Sequence, residues 1–232
     1  MVEIYAVKIN KGIDKQLLYN SLLFLSENRL SNIYKLKNEA DIHRSIIAEL
    51  LVRYLLSEKL GLKNYEIDFQ KNEFGKPHIS DLVNFEFNLS HSGEWVVCAL
   101  SSKKVGIDIE AIRPIDLDIA RRFFSQDEYQ DLLRKKPFQR NSYFFQLWTL
   151  KESYIKAVGK GLSIPLNSFS ICTDDNMQIS LYTDKKSDNL GWNFWTYDIE
   201  NKYKLSICAL ENNFSAPRLI SESKLLTAFS EI

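Results

Sequence analysis

The sequence predicts an α+β protein made of two similar, pseudo-symmetric lobes. Three observations carry that expectation. A long run of helical periodicity occupies each half, at 41–59 and 141–158; strand-like alternation precedes and follows both; and the order strand, helices, strands is met twice, with a polar junction at Ser101-Ser102-Lys103-Lys104 between. Residue identity between the halves is weak, so the repeat rests on the order of elements. The expected lobes are 1–104 and 105–232, the second carrying a C-terminal extension, with a ligand cleft where they meet.

The amino terminus, Met1-Val2-Glu3-Ile4-Tyr5-Ala6-Val7, opens an expected strand over 2–9. In 41–59 the residues Ile42, Ile46, Ile47, Leu50, Leu51, Tyr54 and Leu55 recur three or four apart and make one apolar helix face, which Gly61 ends. Strands are expected at 66–70, at 85–89 with Phe85, Phe87 and Leu89 on one face, and at 95–100. Loops containing Gly75-Lys76-Pro77 and Ser90-His91-Ser92-Gly93 connect them. The second half begins with a strand at 105–110, then helices at 116–124, 126–135 and 141–158, then strands at 168–173, 178–182, 192–198 and 203–210. Ser125 and Glu128 have capping-box spacing for the middle helix, and Gly159 and Gly161 stand where the last one should stop.

Thirty basic and thirty acidic side chains cancel over 232 residues, so no global field draws the chain to nucleic acid or membrane. Any recognition of phosphate must be local. Cys98, Cys172 and Cys208 are odd in number and lack metal-ligand spacing, which speaks against a disulfide framework or a thiolate metal site. The amino terminus lacks the signature of a secretion signal, and no apolar run approaches membrane-spanning length. A soluble cytoplasmic protein is expected.

The chemistry-bearing residues are acidic. In Val105-Gly106-Ile107-Asp108-Ile109-Glu110 the apolar residues alternate with Asp108 and Glu110, so an extended strand puts both carboxylates on one face. Glu152 follows in Trp148-Thr149-Leu150-Lys151-Glu152-Ser153, inside a largely apolar helix where an unpaired buried charge would be costly. Three carboxylates around one hard cation, with lysines nearby, suit phosphate chemistry. The residues alone leave a plainer reading open for each. Asp108 and Glu110 fit the solvated face of any half-buried strand, Glu152 and Lys156 fit a surface ion pair four apart, and Ser90-His91-Ser92 fits a polar turn. Lys76 before Pro77, and Arg44 on the long helix, are single surface cations on that reading.

Five segments in order resemble the 4′-phosphopantetheinyl transferase superfamily, in its two-lobed, monomeric Sfp type that activates peptide-synthetase carrier domains. They are Phe74-Gly75-Lys76-Pro77, Phe87-Asn88-Leu89-Ser90-His91-Ser92, Gly106-Ile107-Asp108-Ile109-Glu110, Arg121-Arg122-Phe123-Phe124-Ser125 and Trp148-Thr149-Leu150-Lys151-Glu152-Ser153-Tyr154-Ile155-Lys156. One such motif is weak, and the ordered set is specific. The resemblance implies that coenzyme A binds between the lobes and that its phosphopantetheine arm passes to a carrier serine, releasing adenosine 3′,5′-bisphosphate. It implies Asp108, Glu110 and Glu152 as ligands of magnesium, with manganese an alternative. Lys76, Pro77, Ser90, His91, Arg44 and Ser45 would hold the nucleotide and its 3′-phosphate, with Lys151 and Lys156 at the diphosphate. Near relatives carry a lysine pair where this chain has Arg29 and Asn32, so Arg29 is the expected phosphate contact there and one contact is missing. As base for the serine proton Glu152 comes first and Glu128 second, and Lys156 assists by charge.

An apo carrier domain is the expected macromolecular partner. It would dock through residues 115–129, where Leu117, Phe123 and Phe124 offer apolar surface and Arg121 or Arg122 a steering charge toward an acidic carrier helix. Two competitors stand beside this reading. A magnesium-dependent nuclease also uses an Asp with a later Glu and Lys, but Ile112 occupies the usual lysine position two after Glu110. A silent coenzyme A-binding or carrier-binding module would have no use for an intact acidic trio.

Overall fold

Two helices of 22 residues, α3 (Glu39–Leu60) and α6 (Pro137–Val158), each cover the outer face of a sheet. The computed structural model describes residues 1–10, 12–13, 15–79, 82–174, 176–183 and 191–229. Helix α3 starts where the Asn38 side chain accepts from the Ala40 N–H and stops at Gly61, whose φ of 68° is left-handed. Helix α6 begins four residues before the spacing predicts, because Pro137 sits at a first-turn position where its missing N–H costs nothing.

The first sheet contains β1 (Glu3–Lys8), β4 (Glu86–Ser92), β5 (Trp95–Ser101) and β11 (Arg218–Leu219) in the order β11-β1-β5-β4. The second contains β6 (Val105–Ala111), β9 (Asn193–Ile199) and β10 (Tyr203–Ala209) in the antiparallel order β6-β10-β9. Along β5, Val96, Cys98 and Leu100 face α3 while Trp95, Val97 and Ala99 meet Ile107, Ile109, Leu205 and Ile207 of the second sheet. Buried on both faces, β5 reads as a continuous apolar run. The α+β layering is therefore helix, sheet, sheet, helix.

Two short hairpins flank this stack: β2 (Gln70–Lys71) with β3 (Pro77–His78), and β7 (Phe169–Thr173) with β8 (Ile179–Thr183). The smaller helices are α1 (Lys15–Asn20), α2 (Glu27–Ile33), α4 (Leu117–Phe123), α5 (Gln126–Arg134) and α7 (Glu222–Thr227).

Three local expectations are corrected. The segment 66–70 is not a strand: the buried Arg53 guanidinium takes the carbonyls of Asn64 and Ile67, which bends the chain into a 3-10 turn at Asn64–Glu66. Ser90, His91 and Ser92 belong to β4 rather than to a loop, leaving only Gly93 and Glu94 between β4 and β5. The chain after Leu210 returns to the first sheet, where β11 pairs parallel to β1 and α7 sinks Leu225 and Leu226 into the α3 core. Short polar-flanked elements of this kind carry too little periodicity to be read in advance. The return is structural: Leu225→Ala, at a site with no exposure, should lower unfolding free energy by about 3 kcal/mol in urea denaturation.

Candidate active site at the seam between the sheets

On one edge β6 pairs with β10, and on the other it meets β4 through side chains. Asn88 Oδ1 accepts from the Ile107 N–H at 2.9 Å, Ser90 Oγ from Ile109 at 3.3 Å and Ser92 Oγ from Ala111 at 3.1 Å. Each serine then donates to an acid of β6: Ser90 to Asp108 Oδ1 at 2.8 Å and Ser92 to Glu110 Oε2 at 2.9 Å. The alternation of Asn88, Ser90 and Ser92 was present in the sequence, but as a half-seen turn its partner could not be named.

Helix α6 closes the other side. A Cβ added to Gly106 would lie 2.0 Å from the Ser153 carbonyl oxygen and 2.3 Å from the Ala157 nitrogen, so only glycine allows the helix backbone this close to β6. At that distance Lys156 Nζ reaches Asp108 Oδ1 (2.6 Å), Ser90 Oγ (3.0 Å) and the Ile107 carbonyl (3.2 Å). Glu152, one turn earlier, makes no hydrogen bond among the described residues, and its charge is felt with those of Asp108 and Glu110.

The acids are under electrostatic tension. Asp108 is 4% exposed and its Oδ2 is buried with no partner. Burial first, then the Asp108 charge, holds the carboxyls of both Glu110 and Glu152 above the ordinary range, with Lys156 opposing. Among the described residues no three His, Cys, Asp or Glu side chains are already gathered as a metal-holding set. What exists is an open group of hard oxygen donors with one orphaned oxygen, which fits a cation whose remaining ligands come from water or substrate.

Around this centre, Lys76 Nζ spans to the Val105 carbonyl at 3.1 Å and to Glu86 at 3.5 Å, and burial holds its ammonium below the ordinary lysine range. His91 is exposed on the next face of β4; desolvation of its ring, then the charges of Arg44 and Lys156, lower its pKa. Arg44 is anchored by Asp41 and by the Gly93 carbonyl at 2.8 Å. Ser45 is buried and its hydroxyl accepts from Arg29 at 3.3 Å, while Arg29 also pairs with Glu49 at 3.0 Å. Pro77 and Arg29 line one cavity beside α3.

Family models match the two halves in turn: "4′-phosphopantetheinyl transferase, N-terminal" over residues 14–103 and "4′-phosphopantetheinyl transferase superfamily" over residues 104–208. The 4′-phosphopantetheinyl transferase Sfp of Bacillus subtilis (strain 168) is 38% identical over 213 residues, covering 92% of this chain and 94% of that relative. The chain belongs to the 4′-phosphopantetheinyl transferase superfamily. The transferase gsp of Aneurinibacillus migulanus is 41% identical over 226 residues, 97% of this chain and 92% of that one. The solved holo-[acyl-carrier-protein] synthase of Thermotoga maritima overlaps 47% of this chain and 64% of that chain at 20% identity, with a TM-score of 0.40.

In this transferase two expected site residues lie elsewhere. Lys151 is fully buried, and its ammonium donates to both oxygens of Glu128 and to the Phe169 carbonyl, each at 2.7 Å. Neighbours on a helix point about 100° apart, so while Glu152 faces the seam, Lys151 faces α5 and β7. Glu128 also accepts from the Ser125 and Ile171 N–H groups at 2.8 Å. Its capping-box role is real, and its carboxylate is spent. Neither residue can meet a diphosphate or a serine proton there; the pair instead joins α5, α6 and β7.

Two outcomes follow for this transferase. Lys151→Met should destabilise by about 3–5 kcal/mol, because it strands a buried carboxylate, and Glu128→Gln combined with Lys151→Met should recover part of that loss in urea titrations. Glu152→Gln should do the reverse at neutral pH without added metal. Its folded pKa lies above the unfolded value, so ionisation costs folding free energy once pH exceeds the unfolded value, fully above the folded one. The neutral amide should therefore raise the melting temperature by a few degrees while removing activity.

Proposed function

We propose that this transferase moves the 4′-phosphopantetheine arm of coenzyme A onto a serine hydroxyl of an apo carrier domain, releasing adenosine 3′,5′-bisphosphate, and that it serves nonribosomal peptide synthetase carriers. The observation that carries the reading is the orphaned, buried Asp108 Oδ2 beside two carboxyls held above their ordinary range. Asp108, Glu110 and Glu152 would hold magnesium, or manganese in its place; when bound, the ion supplies charge neutralisation at the phosphate oxygens.

The chain's own residues do the positioning. Ser90 and Lys156 fix Asp108 in place. Lys156 and Lys76 stand at the seam as the cations for the diphosphate, Lys76 with an ammonium that burial leaves eager for an anion. Arg44 and His91 meet the nucleotide end. The serine oxygen attacks the phosphorus carrying the pantetheine arm, the bond from that phosphorus to the nucleotide phosphate oxygen breaks, and the serine proton passes to Glu152.

Both halves that line the seam come from one chain, which supports a monomer. No described helix is long and apolar enough to cross a membrane, and the three cysteines are free, which suits a cytoplasmic setting. For the carrier, Arg121 and Arg122 stand exposed in the last turn of α4, while Phe124 packs against Phe144 in a core and leaves the docking set.

Incubation with coenzyme A, magnesium and an apo carrier should add the mass of one phosphopantetheine arm to the carrier. Chelation should abolish the gain, and Glu152→Gln should cut kcat at least about a hundredfold. Binding without a mass gain would identify a silent module, and hydrolysis of plasmid instead would identify a nuclease. Arg121→Ala should raise the carrier KM several-fold at low salt and little at high salt.

A further inference from the structure

Between β2 and β3 the chain reverses over residues 72–76, closed by backbone bonds from the Asn72 N–H to the Lys76 carbonyl at 3.0 Å and from the Gly75 N–H to the Asn72 carbonyl at 2.9 Å. The Asn72 side chain fills this turn. Its Oδ1 accepts from the Phe74 N–H at 3.0 Å and from the Lys76 N–H at 2.9 Å. Its Nδ2 leaves the turn and donates to the Gly159 carbonyl at 2.8 Å. Two donors meet the oxygen and one acceptor meets the nitrogen, so the orientation of the amide is fixed from both ends.

Gly159 is the residue that ends α6, with a left-handed φ of 79°. The last carbonyls of a helix lack partners within it, and Asn72 reaches across from the hairpin to satisfy one. Lys76 follows the same route. A Cβ on Gly159 would lie 3.1 Å from Lys76 Cδ, so the stem of the lysine runs over this glycine before its ammonium meets the Val105 carbonyl at 3.1 Å. Lys156 and Glu152 stand one and two turns earlier on the same helix. One side-chain bond therefore ties the hairpin that carries Lys76 to the helix that brings Glu152 and Lys156 to the seam.

We propose that Asn72 is a positioning residue for transfer: its bond to Gly159 holds the hairpin turn on the end of α6 and so fixes the Lys76 ammonium relative to the acids of the seam. This rests on the proposed function above, in which Lys76 meets the diphosphate. A lysine is a point charge on a flexible four-carbon stem. A fixed turn behind it, a glycine beneath its stem and a carbonyl at its tip hold the charge in place before substrate arrives, which is what electrostatic stabilisation of a phosphoryl group requires.

Two variants separate shaping the turn from holding it on the helix. Asn72→Asp keeps an oxygen for the Phe74 and Lys76 N–H groups but sets a second oxygen against the Gly159 carbonyl, whereas Asn72→Ala removes all three bonds. In both, kcat/KM for coenzyme A should fall about tenfold while the carrier KM moves less than about twofold. Wild-type kcat/KM in Asn72→Asp would overturn the proposal. On a Lys76→Met background Asn72→Asp should lower kcat/KM by less than about twofold further, because a residue that acts through Lys76 then has nothing left to position. Penalties that multiply independently would overturn it equally. Calorimetric titration with coenzyme A reads the same cycle in a protein that modifies no carrier. If coenzyme A does not bind at all, the proposed function falls, and hydrogen exchange still decides the latch: the Lys76 N–H should exchange about fivefold faster in Asn72→Asp than in the natural protein, and equal rates would remove it.

Discussion

Among the described residues strand β6 has no backbone pairing on the side that faces β4, and the site depends on how that edge is satisfied. Unpaired buried N–H groups are costly, and here three of them are taken by Asn88, Ser90 and Ser92. Because a hydroxyl can accept and donate at once, each serine that closes the edge also holds an acid of β6. Joining the two sheets and orienting Asp108 and Glu110 are one act. The same residues could not be exchanged for apolar ones without losing both.

Against this edge α6 approaches so closely at Gly106 that its backbone lies on the strand. The helix then divides its side chains between two tasks. Lys151 is neutralised by Glu128 on the buried side, where an ion pair ties three elements together. Lys156 and Glu152, on the seam side, are left with more negative than positive charge around them. Energy is thus concentrated where a cation and a phosphorylated substrate would relieve it, which is how functional sites commonly differ from well-satisfied cores.

Much of the fold was legible. The 3.6-residue period of α3 and α6, the glycines that end them and the alternation in β1, β4, β6 and β10 are local signals, and local signals survive without tertiary context. What stayed hidden was whatever depended on a distant partner. The turn at Asn64–Glu66 answers to Arg53, and α7 answers to the α3 core it covers. The acids Asp108, Glu110 and Glu152 and the cations Lys76 and Lys156 could be nominated from residue type and order. Glu128 and Lys151 had the same credentials, and only their burial against each other removes them from the cleft.

The sequence alone determined the class of elements, their order, and the set of residues able to serve phosphate chemistry, because periodicity, caps and side-chain type are properties of neighbours along the chain. Tertiary structure decided which charges face each other. That choice turns on the hundred-degree step between Lys151 and Glu152 and on which element packs against each. The edge of β6 likewise became a site only when β4 came to lie beside it.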